Sequence, residues 1–219
     1  MEKIQIIALL ALGWCIVFCF IHFFRLLKLG KVKDLSQKSG NVTQAVIYSN
    51  TEAMLPTQKE SAYLHLPSFT AGIFFHIGTF ISLLFFIVFF FVDVAIFWEY
   101  TALIILTALA CVFVTIGELC GLILFLKREF SSKLKEISNA DDFFSTFLTM
   151  LFQCFTVLYL VMGERVAVYY YIIASILLLY IPVGKLRHVV YYFAARYHLG
   201  FFYGWRNSWP PKKLEEILK

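Results

Sequence analysis

Five long, mostly apolar runs, bounded by charged or polar residues, constrain this chain more than any other feature. They extend over about 4–27, 69–92, 100–126, 143–162 and 166–190. A helix that crosses the hydrocarbon core of a bilayer needs about 20 consecutive apolar residues. A membrane barrel would instead show ten-residue segments of alternating polarity. These runs are continuous, so their backbone polar groups must be satisfied within each segment, as a helix does. Hydrophobic residues make up 61% of the chain and charged residues 15%. Soluble domains carry about 25% charged residues, so a water-soluble fold is excluded. The expected fold is all-α: an integral membrane five-helix bundle over residues 1–190, with a basic interfacial or cytoplasmic tail over 191–219. The length suits one bundle rather than several domains.

All five cysteines, Cys15, Cys19, Cys111, Cys120 and Cys154, lie inside apolar runs, where a free thiol packs as a small hydrophobe. None belongs to a CxxC pair or to a CxxCH site for covalent haem attachment. No small-x-small cleavage site closes the first run, and Trp14 before Cys15 is too large for a lipoprotein box. The first run therefore reads as an uncleaved anchor helix.

Between the first two runs lies a polar segment from Gly30 to about Ser68, rich in Ser, Thr, Gln and Asn and punctuated by Pro56 and Pro67. It reads as a surface loop with a short helix on the membrane. Asp93 and the cluster Trp98-Glu99-Tyr100 mark the far end of the second run, where interfacial aromatics belong. Ser138-Asn139-Ala140-Asp141-Asp142 is an N-cap signal for the fourth. Gly163-Glu164-Arg165 is a tight turn before the fifth. With this alternation, every Lys and Arg except Lys3 and Arg165 falls on one side, out of 19 in all. The positive-inside rule then puts the N-terminus outside and the tail in the cytoplasm. The net charge of +5 is therefore topological and does not point to nucleic acid.

His76 lies about seven residues into the second run, roughly 10 Å deep at 1.5 Å per residue. His188 lies near the inner end of the fifth, so topology places both on the cytoplasmic half. Ionisable side chains within a span are costly and mark functional sites. Neutral imidazole is a good iron ligand. A haem gripped by two protein imidazoles has no open coordination position and carries electrons rather than activating oxygen. The competing explanations are an interhelical hydrogen bond for His76 and an interfacial anchor for His188. Lys185 and Arg187 are candidate contacts for haem propionates, or ordinary positive-inside anchors.

Other residues carry weaker signals. Glu118, within Gly117-Glu118-Leu119-Cys120-Gly121, is a candidate proton acceptor from a quinol, or a structural hydrogen bond beside glycines that let helices approach closely. Gln153 reads as interhelical glue. His22 and His65 are interfacial residues, with iron ligation or a quinone hydrogen bond as the alternative. His198 lies on an aromatic, basic stretch with Tyr191, Tyr192, Phe193, Arg196 and Tyr197 that reads as a helix lying in the interface and as a docking surface for a cytoplasmic subunit. Asp93 and Glu99 are solvated interface charges.

Two segments carry a family likeness. Phe74-Phe75-His76-Ile77-Gly78 and Pro182-x-Gly184-Lys185-Leu186-x-His188 resemble the haem-binding segments of the nitrate reductase gamma subunit family. Its relatives include membrane cytochrome b subunits of heterodisulfide-reductase-like complexes and of the sulfate-reducer high-molecular-weight cytochrome complex. The likeness covers most of residues 70–206. It implies a five-helix bundle with the same orientation in a bacterial or archaeal cytoplasmic membrane. Two-haem members carry a further histidine about ten residues after the first and another about eighteen residues before the last; here those positions hold Phe86 and Tyr170. The resemblance therefore implies a single haem b, ligated by His76 and His188, and a membrane quinone, menaquinone or ubiquinone, as redox partner. It also implies a cytoplasmic iron–sulfur subunit, heterodisulfide-reductase-like or ferredoxin-like, together with other membrane subunits. Such a chain is an electron-transfer subunit of a quinone-linked oxidoreductase complex and is not catalytic alone. The alternative is a haem-free membrane anchor.

Overall fold

The computed structural model describes residues 3–29, 35–58 and 64–211. Its regular structure is entirely helical, with no strand among the described residues. In chain order the α-helices are α1 Lys3–Leu29, α2 Val42–Asn50, α3 Leu66–Val88, α4 Thr101–Phe130, α5 Ser132–Glu136, α6 Ala140–Met162, α7 Ala167–Tyr180 and α8 His188–Trp205, joined in places by single 3-10 turns. Among the described residues four segments are long and apolar enough to cross a membrane: Lys3–Leu29, Leu66–Val88, Thr101–Phe130 and Ala140–Tyr180. Large apolar side chains stand outward on all four: Leu10 is 69% exposed, Phe80 60%, Ile123 59% and Tyr169 61%. A monomer in water does not tolerate so much exposed apolar surface; a bilayer does.

The described residues pack as two units. The first comprises those of Met1–Ile16 and of Leu66–Leu186, and so holds the start of α1 with α3 to α7. Here α6 and α7 form an antiparallel hairpin. Asn139 caps α6 with a reciprocal box: its side chain accepts from the Asp142 N–H (3.1 Å), and the Asp142 carboxylate accepts from the Asn139 N–H (3.0 Å). Both donors are satisfied at once, within the stretch that the sequence marks as an N-cap signal. Gly163, at φ 62°, ends α6 in a conformation that costs glycine nothing. The returning helix brings Tyr170 against Tyr159 (ring centroids 4.9 Å) and Tyr180 against Phe144 (4.9 Å).

The fifth apolar run departs from the expected single helix over 166–190. α7 stops at Tyr180. Pro182 has no N–H to donate and its ring conflicts with the carbonyl one turn back, which breaks a helix. The N–H groups of Val183 and Gly184 instead turn back to the Tyr180 carbonyl, at 3.0 and 2.8 Å. A 3-10 turn at Lys185–Arg187 follows, and α8 begins at His188. The second run also ends early, at Val88 rather than 92. The side chain of Asp93 accepts from the Ala95 N–H (2.8 Å) and opens a 3-10 turn over Val94–Trp98, and the indole of Trp98 donates to the Leu160 carbonyl (2.6 Å).

The second unit comprises the described residues of Val17–His65 and of Arg187–Lys219: the remainder of α1, with α2 and α8. The polar segment does contain a short helix, α2, capped by the Asn41 side chain. It packs on α8 through glycines. A methyl group added at Gly200 would lie 2.6 Å from Val46 Cα, and one at Gly204 would lie 2.5 Å from Ala45 Cβ. The Ser49 hydroxyl donates to the Arg196 carbonyl (2.8 Å) and the Trp205 indole to the Ser36 carbonyl (2.9 Å). Gly200→Val is therefore expected to separate α2 from α8; limited proteolysis in detergent should cut the 42–58 region at least ~10-fold faster than in the parent, a loss of packing worth about 1.4 kcal/mol or more. Of the basic residues behind the expected orientation, Lys31, Lys33, Lys59, Lys212, Lys213 and Lys219 lie outside the described residues.

Candidate functional site

His76 sits on the outward face of α3, exposed, in a stripe with Ile73, Ile77 and Phe80. Positions 73, 76, 77 and 80 share one face by helical periodicity. Its Nδ1 lies 2.6 Å from the Gly72 carbonyl one turn back. A carbonyl only accepts, so Nδ1 carries the proton that this contact uses. The Phe75 and Phe80 rings flank the imidazole at 6.2 and 6.4 Å. Because α3 starts at Leu66, His76 lies about 15 Å along it.

His188 is the first residue of α8 and is exposed. His76 belongs to the first packing unit and His188 to the second. The two cations expected near them also have separate surroundings. Lys185 forms an ion pair with the carboxylate of Asp142, which is 3% exposed. Arg128 reaches the same carboxylate at 2.7 Å. Lys185 thus anchors the turn after α7 to the first turn of α6. Arg187, in the second unit, lies over the Tyr191 ring at 5.7 Å.

Phe86 and Tyr170, which stand at the positions of the second histidine pair, meet in the core of the first unit. Their rings are 6.3 Å apart and their exposures are 1% and 0%. Phe89, Phe152, Tyr159 and Tyr171 close around them, with centroids 4.9 to 5.9 Å from Tyr170. That volume is filled by aromatic rings.

Gln153, expected as interhelical glue, donates from Nε2 to the Phe75 carbonyl (3.0 Å) and to the Thr79 hydroxyl (2.7 Å), tying α6 to α3 one turn from His76. It belongs to a polar file that the sequence reading missed. Asp142, Ser145, Thr149, Gln153 and Thr156 all face inward on α6 and are buried. Their spacing of three and four residues was the available signal. Glu118 hydrogen-bonds the Cys154 thiol between α4 and α6. His65 is exposed just before α3. His198 is half-buried, and its Nε2 donates to the Leu26 carbonyl (3.0 Å). His22 lines a cleft between α1 and α8 together with Arg25, Leu26, Leu29 and Tyr191. No group of three or more His, Cys, Asp or Glu is placed to hold a bare metal ion among the described residues.

Comparison with protein-family models, with curated proteins and with solved structures returned no match.

Proposed function

We propose that this chain is a monohaem b-type cytochrome subunit of a respiratory redox complex. In this reading the bundle crosses the membrane five times, the α6–α7 hairpin supplying the last two legs, with the N-terminus outside and the tail in the cytoplasm. The observation that carries the proposal is the Nδ1 contact of His76 with the Gly72 carbonyl. Iron-bound histidines characteristically donate the distal ring N–H to a carbonyl, which fixes the tautomer and raises ligand basicity. An imidazole so oriented, on an exposed apolar stripe, is suited to bind iron, and His76 together with His188 would hold the haem. Arg187 offers a guanidinium to a propionate, whereas Lys185 is engaged by Asp142. The ring-filled region around Phe86 and Tyr170 supports one haem rather than two.

When bound, haem b supplies a one-electron couple between a membrane quinone, menaquinone or ubiquinone, and a cytoplasmic iron–sulfur subunit. The chain's own residues hold and orient that group. Ile73, Ile77 and Phe80, on the same helix face as His76, would give the bound group an apolar surround that tunes its potential. Other membrane subunits complete the assembly.

The test is a reduced-minus-oxidised visible spectrum of the protein produced with ample haem. A b-type signal is expected, with a loss of at least ~10-fold in each of His76→Ala and His188→Ala. Because both side chains are exposed, the thermal transition of the haem-free forms should move little. A colourless parent would favour a haem-free anchor. A haem that no menaquinol or ubiquinol analogue reduces in the assembled complex would remove the quinone step.

A further inference from the structure

Within the second unit, α1 and α8 enclose a cleft of about 180 Å³, lined by His22, Arg25, Leu26, Leu29 and Tyr191. Its floor is mixed. Leu26 and Leu29 give an apolar wall, while Arg25 and His22 present cationic or hydrogen-bonding groups. Tyr191 adds a phenol, and the Arg187 guanidinium lies over its ring at 5.7 Å. His198 holds this part of α8 on α1 through the Leu26 carbonyl, so the walls are tied together. Among the described residues, neither Arg25 nor Arg187 takes part in an ion pair with a carboxylate.

The depth of the cleft narrows the choice of ligand. Residues 22–29 are the last two turns of a helix long enough to cross a bilayer, so the cleft opens at headgroup level. The Arg25 guanidinium of the lining, with that of Arg187 over the Tyr191 ring, neither paired with a carboxylate among the described residues, stands beside an apolar wall and matches a phosphate attached to acyl chains. Arginine forks bind phosphate in pairs of charge-assisted hydrogen bonds, and basic pockets between helices at a membrane surface bind anionic headgroups. A quinone ring also accepts hydrogen bonds from histidine and tyrosine, but it is neutral and leaves both arginines uncompensated.

We infer that the α1–α8 cleft is a specific site for the headgroup of an anionic phospholipid. It rests on α1 crossing the membrane, as in the functional proposal; Arg187 is shared with the propionate contact proposed there, whereas His22, Arg25 and Tyr191 of the cleft are not.

The test is native mass spectrometry of the full-length protein in detergent, titrated with phosphatidylglycerol or phosphatidylcholine of matched chains. One saturable phosphatidylglycerol is expected, preferred at least ~10-fold over phosphatidylcholine. Arg25→Gln with Arg187→Gln should abolish that preference, while Lys28→Gln with Lys38→Gln, an equal loss of charge, should keep it. Glycerol 1-phosphate without acyl chains should fail to compete; if it competes fully, the site takes free phosphate and the lipid assignment is wrong. Equal binding of the two lipids, equal effects of the two double variants, or displacement by a short-chain menaquinone but not by phosphatidylglycerol would overturn it. Labelling Lys3→Cys and Ser36→Cys with an impermeant maleimide from opposite faces of vesicles reads the α1 span separately. The arginine pair also yields to circular dichroism, which shows whether the variant still folds.

Discussion

Asp142→Ala is expected to cost the folded protein about 3 kcal/mol, one of the two largest single-residue losses anticipated here. The carboxylate is 3% exposed and accepts from Arg128 at 2.7 Å, from Lys185, and from the Asn139 N–H at 3.0 Å. It also sits in the first turn of α6, where the helix dipole favours negative charge. Removing it takes away half of the capping box and leaves two cations facing each other over an apolar helix end. Breaking a fully buried pair costs about 3–5 kcal/mol. The side chains of Arg128 and Lys185 are 37% and 52% exposed, so both can turn to solvent, which puts the expected loss at the low end. Asp142→Asn keeps an acceptor for the cap and should lose roughly half as much. Denaturant titration in mixed micelles reads both. A double-mutant cycle with Lys185→Met should return a coupling of about 1 kcal/mol. An Asp142→Ala variant within about 0.5 kcal/mol of the parent, the range of neutral surface changes, would mean that the hub does not hold the turn after α7.

The apolar runs were read correctly as helices because nothing else satisfies a long backbone away from water. Among the described residues the first three became segments able to cross a membrane, and the fourth and most of the fifth fall in one such segment, Ala140–Tyr180. Their ends were legible wherever a side chain closes them. The stretch Ser138-Asn139-Ala140-Asp141-Asp142 announced the start of α6, and Lys127 and Arg128 lie in the last turn of α4. The errors fell where an apolar run continues past its helix. Hydropathy is unchanged from Leu177 through Val183, so periodicity alone carried the helix through Pro182, although proline argues for a break there. Likewise Phe89 to Val92 look helical by composition, and only the Asp93 turn, packed with Phe97 against Phe85 and Phe89, ends α3 at Val88.

The candidate site was legible in part for a related reason. A histidine in an apolar helix stands out in the sequence, and His76 does lie on an exposed stripe. What polarity could not convey was pairing. Lys185 and Arg187 read alike as cations near an interface, yet one is claimed by a buried carboxylate forty-three positions away in sequence and the other stacks on Tyr191. Such choices depend on which helix packs beside which. Arg25 read only as an inner-side charge and Tyr191 only as one aromatic of an interfacial stretch for the same reason, since their common cleft exists only once α1 and α8 are brought together. Gln153 was found because a lone amide in an apolar run needs a partner; its neighbours Ser145, Thr149 and Thr156 were overlooked because small hydroxyls can bond their own helix, as Thr149 and Thr156 do with the carbonyls of Ser145 and Phe152.

Gly117→Leu is expected to be the most damaging substitution in the first unit. The contact of α3 with α4 is close because two glycines face each other. A methyl added at Gly117 would lie 2.8 Å from the Phe74 carbonyl oxygen, 3.0 Å from Gly78 Cα and 3.1 Å from Gln153 Oε1. The first two are backbone atoms, so no rotamer change relieves them. In a bilayer, lipid tails are as apolar as leucine, and close packing with interhelical hydrogen bonds must supply the association. Pushing α4 away from α3 therefore removes the main attraction and also disturbs Gln153, whose bonds to Phe75 and Thr79 cross the same junction. Overpacking a tight core costs about 1–3 kcal/mol, occasionally more; a leucine against backbone should reach or exceed the top of that range. Gly117→Ala should fall lower, because alanine recovers about 1 kcal/mol of helix propensity. Gly72→Ala is the matching control: nothing lies within 4 Å of a methyl there, so only the propensity gain remains and the variant should be neutral or slightly stabilised. The readout is the thermal transition and monodispersity in detergent, expected to rank Gly72→Ala and the parent above Gly117→Ala, with Gly117→Leu aggregated or unfolded. If Gly117→Leu matched Gly72→Ala, the α3–α4 junction would have to be looser than two facing glycines require.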